Sequence, residues 1–202
     1  MTRDEFLQRY WKYYLLLEKK FLNTVNFVEI CENNKDTYSN EYAYMLQAIG
    51  GELDTFFKEY CGFALADRKS IADYEKIAIV KFPGIKTQDV EVILNKEVYI
   101  PFENWDSNQP AQSLLWWQAY DLVKHNRVDN IKEASQKNVI YMLSALFMLE
   151  MKLLDEIFQS TGEPNIPNEK SSLFDLPSWK YSHTSFTELL APCQDGFVIL
   201  GS

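Results

Sequence analysis

Residues Ile131–Phe158 read IKEASQKNVIYMLSALFMLEMKLLDEIF, and this stretch decides the fold. Val139, Met142, Leu143, Leu146, Phe147 and Leu153 return at steps of three or four, the period of one helix face. The nearly apolar run Val139–Leu149 lies between Lys137 and Glu150. It is far shorter than the roughly 20 apolar residues that a bilayer-spanning helix needs. It therefore predicts a buried central helix rather than a membrane span. Asn130 followed three residues later by Glu133 has the form of a helix N-cap with its reciprocal acid. That places the start of the central helix at Ile131 and a break near Val128-Asp129.

Working outward, Leu114–Arg127 reads as a helix, preceded by a polar turn over Asn104–Pro110. Val90–Leu94 and Val98–Ile100 are β-branched or aromatic runs around Asn95-Lys96-Glu97, which predicts a β-hairpin closed by Pro101. A short helix is expected from Ser70 to just before Pro83-Gly84. A longer one follows Tyr42, Met45, Leu46, Ile49, Leu53, Phe56 and Tyr60. Gly50-Gly51 interrupts it, and each glycine costs about 1 kcal/mol relative to alanine in a helix interior. The pair marks either a kink or a close helix contact. Residues 3–31 predict a long amphipathic helix, broken by Asn33-Asn34-Lys35-Asp36.

Beyond Gln159 the composition turns to Ser, Asn, Pro and Glu, so 159–178 reads as a loop or linker, with a candidate strand at Phe197–Leu200. The expected architecture is all-α. It is an antiparallel bundle of four to five helices with a β-hairpin insertion around 89–101 and an irregular C-terminal arm. A bundle domain over 1–158 and an arm over 159–202 follow from this reading.

The bulk numbers exclude several classes. The 202 residues suit one domain with an appendage, and 47% hydrophobic residues exclude global disorder. Twenty Lys+Arg against 29 Asp+Glu give a net charge of -9, so a polyanion could be held only by a local basic patch. Three cysteines without C-x-x-C argue against a disulfide framework or a Cys-based zinc site. The two histidines have no His-x-x-x-His or Glu-x-x-His spacing, and no phosphate-cradling glycine loop is present. No metal or cofactor is expected. The start, Met1-Thr2-Arg3-Asp4-Glu5, does not read as a secretory signal, and a cytoplasmic protein without a membrane partner is the expectation. Ser182-His183-Thr184-Ser185 lies in a biased tail and reads as surface.

The stretch richest in chemistry is Trp116-Trp117-Gln118-Ala119-Tyr120-Asp121-Leu122-Val123-Lys124-His125-Asn126-Arg127. An imidazole between cations, with a carboxylate one turn earlier, suits general acid–base work on a phosphodiester. His125 would exchange the proton, and Lys124 and Arg127 would hold phosphate. On a regular helix, however, His125 and Arg127 point about 160° apart, so the helix must end between them for joint action. The same residues also complement the negative end of a helix dipole, worth about 0.3–1 kcal/mol each. Both readings stand at this level. Glu52 and Asp54, on the second predicted helix, are candidates to orient the imidazole. Asp54 also makes an i, i+4 ion pair with Lys58 on paper.

The string W-W-x-A-Y-x-x-V-K-H-N-R, followed by an Asn and a long apolar helix, resembles a group of uncharacterised bacterial proteins with HEPN-like helical bundles. Glu52-Leu53-Asp54 with Lys58, and Pro101-Phe102-x-x-Trp105, belong to the same resemblance, which covers roughly residues 38–158. It implies a small helical bundle that forms a homodimer. Many HEPN proteins are metal-independent ribonucleases of toxin–antitoxin and antiviral systems, and others only bind nucleotides or partners. The nuclease motif has an Arg four to six residues before its His, and here no arginine precedes His125 at that distance. Two functions therefore stand as expectations. One is a HEPN-like binding protein for RNA, a nucleotide or an antitoxin-like protein partner. The other is a metal-independent endoribonuclease with His125 as general acid/base.

Overall fold

A computed structural model describes residues 1–106 and 108–182. The chain is mainly helical, with a small antiparallel sheet. In order, α1 (Arg3–Phe6) passes through a π-helical turn (Leu7–Trp11) into α2 (Lys12–Val25), followed by α3 (Asn40–Tyr60) and α4 (Ile71–Lys81). Then come β1 (Val90–Val92), β2 (Val98–Tyr99), α5 (Pro110–Ser113), α6 (Leu115–His125), α7 (Gln136–Thr161) and β3 (Phe174–Asp175).

The central helix lies where its apolar period places it. Val139, Ile140, Met142, Leu143 and most of the following two turns of α7 are buried, against α2, α3 and α6. Its start is different from the expectation. The N-cap is Ser135, whose Oγ accepts from the Asn138 amide, and residues 131–133 form only a short 3-10 turn. Asn130 instead works backwards, its side-chain amide donating to the carbonyls of Leu122 and Asn126 at the end of α6. The last carbonyls of a helix have no intrahelical donor, and an Asn four residues beyond can reach them. At its other end α7 runs through 158–159 to Gly162, which takes the left-handed conformation (φ 75°) that glycine adopts without strain.

The first helix also ends earlier than its period suggests, at Val25. There Thr24 donates to Phe21 O and Asn26 to Asn23 O, so local side chains satisfy the terminal carbonyls. The segment after it is tied to α7 by Gln136, whose amide donates to Val28 O and Glu29 O. In α3, the two adjacent glycines have separate roles. A Cβ on Gly50 would stand 2.4 Å from the Tyr120 ring of α6, whereas one on Gly51 would meet nothing within 4 Å. Gly50 thus marks a close helix contact rather than a kink.

The hairpin forms with register Val90↔Tyr99 and Glu91↔Val98, its turn helped by Lys96 at φ 62°. It is not a free insertion, because β3 pairs with β1 (Glu91↔Asp175, Val92↔Phe174) to give the order β2-β1-β3. Residues 163–182, irregular apart from β3, are accordingly strapped to the body. The Arg3 guanidinium donates to Pro164 O and Ile166 O, and the Trp11 indole donates to Glu169 O. Leu173, Phe174 and Leu176 are buried. The candidate strand at Phe197–Leu200, His183 and Cys193 fall outside the described residues.

Glu18 is the polar centre of this strap. Its buried carboxylate accepts from Tyr14 Oη (2.6 Å), Ser171 Oγ and the Ser172 amide (2.8 Å). Glu18→Ala would leave these donors unmatched in the interior. The expected loss is about 2–3 kcal/mol, read as a lower urea midpoint at unchanged slope.

Candidate functional site

The helix α6 places its basic cluster by burying the opposite side. Trp116, Trp117, Ala119, Tyr120 and Val123 face the core, so the last turn presents Lys124 and His125 to solvent. The helix ends at His125, and Asn126 turns the chain out of it at φ −151°. The 160° separation of a continuous helix therefore does not apply to Arg127. The turn is held by Asn126 and Asp129, whose side chains bond each other and the Asp129 amide.

Each basic side chain then takes its own direction. The Lys124 ammonium lies 5.1 Å from the centre of the Tyr120 ring, and the Tyr120 hydroxyl beside it raises its pKa. The Arg127 guanidinium donates to Asn40 Oδ1 at 2.8 Å, at the first turn of α3. His125 is exposed. Lys124, His125 and Arg127 have no salt-bridge partner among the described residues.

The two predicted carboxylates part company. Asp54 faces α6 and acts electrostatically on Asp121 and Lys124. It is already engaged by Tyr74 Oη (2.5 Å) and Lys58 Nζ (2.9 Å). Glu52 is half-buried on the other flank of α3. There it acts on Tyr10, Tyr13 and Glu150, and burial raises its pKa. The carboxylate that the structure brings nearest in chemistry to His125 is Asp121, one turn earlier on α6. Burial raises the Asp121 pKa, opposed by the Lys124 ammonium, His125 and the Trp117 indole.

Sequence reasoning missed Glu150. It is wholly buried in the middle of α7, and among the described residues neither carboxyl oxygen has a hydrogen-bond partner. Burial pushes its pKa well above the usual carboxylate range, and nearby Glu52 adds to the effect. The signal was present, since Glu150 falls between Leu149 and Met151 within a helix buried all round.

A cleft of about 820 Å³ lies beside the first turns of α6 and α7, with Tyr38, Glu103, Gln118, Lys137 and Tyr141 among its walls. A shallow depression of about 680 Å³ does reach the basic end, lined by Asn40, Tyr44, Gln47, Ala48 and Arg127. Among the described residues, no group of three or more His, Cys, Asp or Glu could hold a metal ion. No helix of those residues is long and apolar enough to cross a membrane.

Comparison with known proteins adds no relative: no family model matches the chain, and no curated protein or solved structure matches it.

Proposed function

We propose that this chain is a HEPN-like binding module of a defence or toxin–antitoxin type system. It holds an anionic partner, RNA or nucleotide phosphate or an acidic protein surface, at the end of α6 without cleaving it. One observation carries the reading. Lys124, His125 and Arg127 are exposed at the end of α6 without a salt-bridge partner among the described residues, on a chain whose net charge is -9. A local cationic end on an acidic body draws an anion to that place.

The ribonuclease reading, with His125 as general acid/base and Lys124 and Arg127 on the phosphate, draws on Asp121. A desolvated carboxyl one helical turn from an imidazole is a known way of orienting it. Against it, Arg127 is turned to Asn40, Asp54 is engaged by Tyr74 and Lys58, and Glu52 serves the other flank of α3.

The binding reading is tested by titrating the isotope-labelled chain with a short single-stranded RNA and with polyglutamate. At least one anion should move the backbone amide resonances of residues 121–128 and 40–48, and the shifts should vanish in Lys124→Glu/Arg127→Glu. Absence of shifts with both anions, or shifts indifferent to the double substitution, contradicts it.

A further inference from the structure

The surface beside the cationic end is not a polar one. Along the α2–α3 seam, Tyr13, Leu16 and Tyr44 are 40%, 57% and 59% exposed. Between them α3 presents the half-buried Ala48 and the exposed Gly51, where an added side chain would meet open space. Tyr44 and Ala48 also line the depression that Arg127 closes. An apolar ledge and a cationic end are thus continuous across α2, α3 and the turn after α6.

The charges along this face are unequal in their availability. Arg9 is paired with Glu59, Lys20 with Glu41 and Lys58 with Asp54. Among the described residues Lys124 and Arg127 form no salt bridge, so open positive charge sits at one end of the face, away from the unpaired Glu52 carboxylate beside Tyr13. Two of the three aromatic rings here are already covered, which leaves Tyr13 as a single open one. The Lys20 ammonium lies 4.7 Å from the centre of the Tyr44 ring, and Lys124 covers that of the buried Tyr120. Single-stranded nucleic acid is gripped by open aromatic platforms along a basic groove, and this face offers neither a row of rings nor a continuous basic track. An apolar ledge of Leu16 and two tyrosines, with a smooth floor, instead matches the way an amphipathic helix lays its apolar side into a groove.

Resting on the binding reading above, we infer that the partner is a protein segment that docks as an acidic amphipathic helix. Its apolar side lies on Leu16, Tyr13, Tyr44 and the Ala48–Gly51 floor, and its carboxylates meet Lys124 and Arg127.

The test uses the full chain and a fluorescent peptide of about 20 residues, long enough for roughly five helical turns. It carries leucines at i, i+3, i+4 and i+7, with glutamates on its flanks. A lysine-for-glutamate version and a short single-stranded RNA are compared by anisotropy. The acidic peptide should bind, and the lysine version should bind at least tenfold more weakly. Gly51→Trp and Leu16→Glu should each weaken the acidic peptide about tenfold, and Arg127→Glu about fivefold, with the circular dichroism of the chain unchanged. Equal binding of the two peptides, or indifference to Gly51→Trp and Leu16→Glu, overturns the inference. Binding of RNA alone, lost in Lys124→Glu/Arg127→Glu, overturns the helix partner while the anion-binding reading stands. Failure of all three probes removes both.

Discussion

Glu150→Met is expected to stabilise the chain by about 2–4 kcal/mol at pH 8, although it removes a charged residue type from a helix already rich in apolar ones. Glu150 is fully buried, and neither carboxyl oxygen has a partner among the described residues. The groups that act on it electrostatically or that it acts on are Glu52 from α3 and Tyr14 from α2, neither of which is a cation. Folding must therefore keep the carboxyl protonated, and its folded pKa lies well above the ordinary value.

The sign of the pH dependence follows. Above about pH 4.3 the unfolded chain gives up this proton while the folded chain keeps it. The folded state then binds more protons, and stability falls as pH rises, by up to about 1.4 kcal/mol per pH unit. The fall ends once pH passes the raised folded value. Glu52, Glu75 and Asp121 are shifted upward as well, so a smaller slope should persist in the variant. Urea unfolding from pH 5 to pH 8 should show curves that diverge, with a gain of only about 1 kcal/mol at pH 5, where the neutral carboxyl still lacks a partner. Parallel curves, or a variant less stable than the parent, would contradict this account of the core.

The second large effect separates two adjacent glycines. Gly50→Ala is expected to cost about 2–3 kcal/mol, because its Cβ would stand 2.4 Å from Cδ2 and Cε2 of Tyr120. Tyr120 is buried, so its ring has little room to withdraw. Gly51→Ala meets nothing within 4 Å and should gain about 1 kcal/mol through helix propensity alone. For a chain of this size the two variants should move the melting temperature in opposite directions, by about 2–4 °C per kcal/mol. Equal responses at the two positions would mean that α3 and α6 do not meet at Gly50.

What the sequence disclosed followed from periodicity. The buried stripe of α7, the body of α3 and the pairing of Val90–Val92 with Val98–Tyr99 were all legible, because hydrophobic spacing reports which side is buried. Ends were harder. Asn130 and Ser135 are both good caps by residue type, and only the geometry shows that Asn130 closes α6 while Ser135 opens α7. The strap over 163–182 was hidden by its composition. Its backbone finds partners in the distant Arg3, Trp11 and Glu18, and such long-range bonds leave no local pattern.

At the site, the exposure of Lys124, His125 and Arg127 could be read from the amphipathic period of α6. Their separate directions could not, since these depend on where the helix stops. Glu52 illustrates the same limit. Two residues from Asp54, it sits on the other flank of α3, and the sequence alone did not say which flank met α6. Asp121, placed by the helix period one turn before His125, needed the packing that desolvates it before its raised pKa became visible.

The central claim is that the end of α6 binds without catalysing. Its most direct test is incubation of total cellular RNA with the purified chain in EDTA, parent beside His125→Ala, with melting temperatures measured on the same samples. Intact RNA with both proteins is the predicted result. Cleavage by the parent that disappears in an equally stable His125→Ala variant would contradict the account and make His125 the centre of a metal-independent ribonuclease.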